Sequence, residues 1–188
     1  MSGIFTLHIA YKGLEDKIWR DATLLENATL NDLAYLIMAT FDTMAYHQYK
    51  FEIKGEHYYC FNEEYDESTK FTDCHLSDFV LQVADYFTFE YDFGIGHEFT
   101  VQVLENYYSD FVDPRMPLII HGEGCGIIDD YSFDDIKNAI EEIDLMGKMR
   151  EPIYYKERTE PWDYRDFNLK TACENLKKET EVVEKKFS

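Results

Sequence analysis

The chain has no Cys-x-x-Cys pair, no apolar run of membrane length and a marked shortage of positive charge. Each shortage excludes something. Four cysteines, at 60, 74, 125 and 173, stand too far apart for a paired-thiol motif and point to free thiols in a reducing cytoplasm. A membrane-spanning helix needs ~20 apolar residues, and Ile4 to Tyr11 alternates instead of forming the apolar core of a signal peptide. Only 18 lysines and arginines oppose 38 aspartates and glutamates, a formal net charge of −20. Such a surface repels phosphate backbones, so direct nucleic-acid binding is disfavoured and a protein partner is expected.

With 45% hydrophobic and 16% aromatic residues, 188 positions suffice for one cored domain spanning 1–188. Phe5, Leu7, Ile9 and Tyr11 alternate with polar or small neighbours, as a half-buried strand requires, and a second strand is expected over 17–24. Thr29, with Asp32 three residues on, reads as the capped start of a helix over 30–42. Tyr49, Phe51 and Ile53 mark a third strand, and Lys54-Gly55-Glu56 turns the chain into a fourth over 57–61. An acidic loop is expected over 62–73 and a helix over 76–84. Further helices are expected over 132–146, capped by Ser132 and ended by Gly147, and over 168–183. The last helix is expected to dock as far as Leu176 and to fray beyond it, leaving 177–188 a partly exposed helical tail, with presentation of Val183 and Phe187 to a partner as the alternative. The resulting class is α+β, a mixed, largely antiparallel sheet with a β-grasp-like ββαββ N-terminal half and helices packed on it.

Residues 86–105 form the clearest hairpin. Phe87, Phe89, Tyr91 and Phe93 must share a face with Phe99, Val101 and Val103, so paired residue numbers sum to an even value. A three-residue loop, Gly94-Ile95-Gly96, satisfies this by pairing Phe93 with His97 and setting Asp92 opposite Glu98 on the other face. Facing carboxylates call for a cation, a basic side chain or open solvent.

Along its length the chain resembles the plasmid pRiA4b ORF-3-like family. The resemblance rests on Ile18-Trp19-Arg20, Thr29-Leu30 with Leu33, His47 with Phe51, Tyr91-Asp92-Phe93-Gly94 with His97, Gly122-Glu123-Gly124-Cys125, and Asp166-Phe167-Asn168-Leu169 with Asn175-Leu176. It implies a compact α+β fold and a protein of uncharacterised activity; some members are labelled resolvase-like and some are joined to DNA-binding domains. Two departures bear on any family site. The Asp-x-Trp-x-His expected after the hairpin glycine is shortened to Ile95-Gly96-His97, and a later Pro-Pro-Glu-Asp and Gly-Gly segment is reduced to Gly126-Ile127-Ile128-Asp129-Asp130.

Candidate chemistry is sparse. Asp92, His97 and Glu98 offer an acid–base or metal-ligand set, with His47 or His121 as helpers, although Asp92 and His97 fall on opposite faces in the expected register. His57, Cys60, Cys74 and His75 are soft ligands within a short span, but neighbouring strand positions and the adjacent Cys74-His75 fit a tetrahedral zinc poorly. Cys125 sits in a glycine-rich loop that lacks the P-loop lysine; a structural turn is the plainer account. Trp19 and Arg20 are binding candidates by their place in the second strand, Trp19 being expected in the core. No cofactor motif is present and no cofactor is expected. The leading expectation is a non-enzymatic protein-interaction module, linked through the resemblance to mobile elements or regulation. The alternatives are a metal-assisted hydrolase or nuclease-like enzyme using Asp92 and His97, and an acidic nucleic-acid mimic that inhibits a basic partner.

Overall fold

The computed structural model describes residues 1–60 and 67–187. The end of the strand expected over 57–61 and the acidic 62–66 of the expected loop lie outside the described residues. The chain order is β1 (Ser2–Tyr11), β2 (Trp19–Leu25), α1 (Leu30–Thr40), β3 (Tyr49–Ile53), β4 (Glu56–Tyr59), β5 (Tyr86–Tyr91), β6 (His97–Ser109), β7 (Leu118–Glu123), α2 (Phe133–Met146) and α3 (Leu169–Glu184). The strands form one seven-stranded sheet in the order β4-β3-β5-β6-β1-β2-β7, and every ladder between them is antiparallel. The class is therefore α+β, as expected. The N-terminal half follows ββαββ in chain order, with its two hairpins held apart in the sheet by β5 and β6.

One sheet face carries the core. Leu7, Ile9, Phe51, Phe89, Phe99 and Val101 are fully buried together with Leu30, Leu33, Ile37 and Met38 of α1. The opposite face carries His8, Asp21, Glu98 and His121, which an antiparallel sheet tolerates, although Ile4, Thr6 and Ala10 of β1 are buried there. Both predicted capping boxes form. Thr29 Oγ1 accepts from the Asp32 amide (3.1 Å) while Asp32 Oδ2 accepts from the Thr29 amide (2.7 Å). Ser132 and Asp135 repeat the pattern at the start of α2. Gly147 ends α2 at φ 78°, its amide donating to the Ile143 carbonyl at 2.7 Å.

Three expectations are corrected. The helix over 76–84 is a single 3-10 turn, Leu76–Phe79. Val80 enters the left-handed region at φ 48°, and Ala84 and Asp85 bond to Val103 at the edge of β6 instead. The hairpin register obeys the even-sum rule but is displaced by two: Tyr91 pairs with His97 and Phe89 with Phe99. The cause is Asp92, which leaves the strand at φ 60° and opens a five-residue tip. The facing carboxylates are consequently Glu90 and Glu98, each neutralised by a lysine, Lys50 and Lys12. Finally, the C-terminal tail docks. Val183 is buried, and the Phe187 ring stacks on Tyr35 at 5.9 Å and meets Tyr49 edge-on at 5.1 Å. No helix among the described residues is long and apolar enough to cross a membrane.

Candidate functional site

Three loops converge at one end of the sheet: residues 41–48 between α1 and β3, the 92–96 tip between β5 and β6, and 124–132 between β7 and α2. The Ile127 amide donates to the Phe41 carbonyl at 3.0 Å. Gly126 makes this approach possible, since a Cβ there would stand 2.3 Å from Phe41 O. The tip is tied down by the Asp92 amide, which donates to Gln48 O at 3.0 Å. Asp92 Oδ1 in turn accepts from the Gly94 amide at 3.0 Å, an Asx turn that helps hold the left-handed backbone.

The second carboxylate oxygen of Asp92 is thereby left facing His47. His47 Nε2 lies 3.4 Å from Asp92 Oδ2 and 3.6 Å from Asp130 Oδ1, yet the atom is buried and hydrogen-bonds to neither. Among the described residues, His47, Asp92 and Asp130 are the one group in which three side chains each bring a ligand atom within 4.8 Å of the others. Donors bound at ~2.0–2.2 Å to a tetrahedral zinc stand roughly 3.3–3.6 Å apart. The two separations from His47 match that spacing.

The surroundings are locked. Asp129, buried beneath Asp130, accepts from Tyr91 Oη at 2.6 Å, Tyr155 Oη at 2.8 Å and the Met44 amide at 3.1 Å. Burial, reinforced by Asp129, pushes Tyr91 and Tyr155 above the ordinary tyrosine range. Tyr46 donates to Asp130 Oδ2 at 2.6 Å and is raised by that bond first. His97 is wholly buried, its Nδ1 2.9 Å from Tyr11 Oη, and burial lowers its pKa.

The family model for plasmid pRiA4b ORF-3-like proteins matches residues 3–171. The chain belongs to that family. No curated protein matches it. A crystal structure of a protein of unknown function, MM3350 from Methanosarcina mazei Go1, superposes with a TM-score of 0.69 at 20% identity, over 90% of this chain and 96% of the other. That likeness is one of fold. In this family member, the hairpin tip and the 126–130 segment meet around His47.

Three of the segments that carried the resemblance meet elsewhere, at Arg20. This guanidinium is fully buried between the rings of Phe41 (4.9 Å) and Phe167 (3.8 Å). Its five N–H groups are all used: Nε on Thr40 Oγ1, Nη1 on the carbonyls of Trp19 and Glu123, Nη2 on those of Thr40 and Gly124. No donor remains for a ligand, so Arg20 is a brace joining β2, the end of α1 and the end of β7. Burial pulls its pKa down to about 9.

The other expected residues disperse. Glu98 points to the outer sheet face and pairs with Lys12. His121 is on that face too, 3.6 Å from Asp21, which His8 holds at 2.7 Å. Trp19 lies beside His8 (5.3 Å between ring centres) and is half-buried there, outside the core. His57, Cys60, Cys74 and His75 do not gather. Cys60 Sγ accepts from the Tyr49 amide, Cys74 Sγ donates to Phe71 O, His75 Nδ1 engages Asn27 O and His57 is exposed against Tyr59. Burial pushes the Cys125 thiol up to about 12, away from the thiolate form that nucleophilic attack needs. Asp129 and Asp130 were the residues that local pattern missed; their one signal was a pair of acids directly after the buried Ile127-Ile128.

Proposed function

We propose that this plasmid pRiA4b ORF-3-like protein binds one divalent cation through His47, Asp92 and Asp130, and uses it to fasten three loops instead of to drive a reaction. The observation that carries this reading is the buried, unpartnered His47 Nε2 set between two carboxylate oxygens at ligand-to-ligand spacing. A mixed imidazole and carboxylate set favours zinc or manganese over magnesium. Catalysis is the weaker account because the neighbouring acid–base groups are held in unreactive forms: Asp129 is engaged by three donors, Tyr91 and Tyr155 are kept protonated and His97 is kept neutral. A cation-fastened loop surface on one domain fits the role of an interaction module. Four free cysteines fit a cytoplasmic setting.

The test is calorimetric titration of chelator-treated protein with zinc, manganese and magnesium. One ion per chain is expected, with affinity reduced about tenfold or more in His47→Ala and in Asp130→Asn, in line with the loss of a metal ligand. Absence of binding heat, or binding unchanged in both variants, refutes the reading. Hydrolytic turnover by the metal-loaded protein that is lost in His47→Ala would move the assignment to the hydrolase alternative.

A further inference from the structure

A cavity of about 580 Å³ lies between the end of α1, α3 and the 156–168 segment. It falls within the ~300–1,000 Å³ range of small-molecule sites. Its charge differs from that of the rest of the molecule. The chain as a whole has 18 basic against 38 acidic residues, but the cavity wall carries Arg20, Lys156, Arg158 and Lys186 against Asp42, Asp166 and Glu179. The cations are unevenly satisfied. Asp42 alone serves two of them, taking Lys156 on Oδ1 at 2.6 Å and Arg158 on Oδ2 at 2.5 Å. Lys186 reaches the carbonyl of Met44. Arg20 donates to neutral oxygens alone, so a wholly buried positive charge borders the cavity with no carboxylate bonded to it.

Arg158 uses Nη2 on Asp42 and keeps its other N–H groups free of hydrogen bonds among the described residues. The Asn175 side-chain amide, also in the wall, is free in the same sense. A guanidinium fork with spare donors, a lysine held only by a carbonyl and a nearby uncompensated charge form a receptor for a compact anion. The first turn of α3, entering the wall at Asn168 and Thr171, adds favourable dipole potential.

We infer that this cavity binds the phosphate group of a small phosphorylated molecule, with Arg158 and Lys186 as its direct contacts and Arg20 as a fixed background charge. The cavity exceeds what a bare phosphate fills, so an organic moiety is part of the ligand. This site is separate from His47, and its failure would leave the cation reading untouched.

The experiment is calorimetric titration of the full chain, at low ionic strength, with inorganic phosphate and with a nucleoside monophosphate, on wild type, Arg158→Gln, Lys186→Gln and Lys70→Gln. Lys70 is an exposed control outside the cavity, paired with Glu56. The expected result is saturable binding of the nucleotide, tighter than that of phosphate. It should be weakened about tenfold in Arg158→Gln and in Lys186→Gln, the scale of a lost charge-assisted contact, and unchanged in Lys70→Gln. No saturable heat with either probe, or equal weakening in Lys70→Gln, overturns the site. Equal affinity for the two probes overturns the organic ligand in favour of free phosphate.

Discussion

Replacing Arg20 with methionine keeps an unbranched chain between Phe41 and Phe167 but removes five hydrogen bonds together. Four of the five acceptors are main-chain carbonyls, which cannot turn away to find solvent. A stranded buried acceptor costs ~1–3 kcal/mol. Against this, a buried guanidinium no longer has to be desolvated, and that offsets several kcal/mol. Breaking one side of a buried charged network leaves a net loss of about 3–5 kcal/mol, which is the expected destabilisation of Arg20→Met. With a urea m-value of about 2 kcal/mol/M, the unfolding midpoint falls by roughly 2 M at constant m. Arg20→Lys should recover less than half of the loss, because an ammonium has three donors and no planar fork for two carbonyls on each side. A midpoint for Arg20→Met within about 0.3 M of wild type would show that the network contributes little and refute the argument.

Two further outcomes follow from packing and burial. Phe187→Ala removes the ring that closes on Tyr35 and Tyr49, and a partly buried phenylalanine of this kind is expected to cost about 1–3 kcal/mol in thermal unfolding; an unchanged melting temperature would mean that the tail is frayed. His97 is lowered by burial below its ordinary 6.5, so the unfolded chain takes up the proton more readily. Its contribution to stability is complete above about pH 6.5 and is lost as the pH falls through the folded value, so His97→Gln should flatten the decline in urea midpoint below about pH 6.5.

Much of the scaffold was legible because it is written in short-range pattern. Thr29 with Asp32, and Ser132 with Asp135, announce helix starts through groups only three residues apart. Parity alone identified the face shared by Phe87, Phe89 and Tyr91 with Phe99, Val101 and Val103, but it wrongly added Phe93, which lies exposed in the tip. It could not see the displacement by two, because any even shift preserves facing; that shift depends on Asp92 adopting a left-handed backbone. The helix over 76–84 failed for a related reason: Val80 and Val83 have the spacing of a buried stripe but are exposed, and β6 captures the next residues. The candidate site was half legible. His47 and Asp92 were named, but their meeting with Asp130 depends on a contact between loops about 85 residues apart, anchored where Met44 bonds to Asp129. Nor does any local pattern show that Arg20 has all its donors occupied.

The position of β1 in the sheet has a consequence for how the chain comes off the ribosome. Its first partner, β2, follows at once, but its other edge pairs with β6, where Ser2 meets Ser109 and Ile9 meets Val101. For the time taken to make about a hundred residues, β1 has an open edge and an apolar face, conditions that invite pairing with other chains. Such long-range pairing also slows folding, because the entropy of closing the loop must be met before any contact rewards it. The Tyr35 and Tyr49 surface waits longer still, until Phe187 arrives. Synthesis thus leaves the centre of this sheet unfinished until β6 is made, and the cover over Tyr35 and Tyr49 open beyond that point.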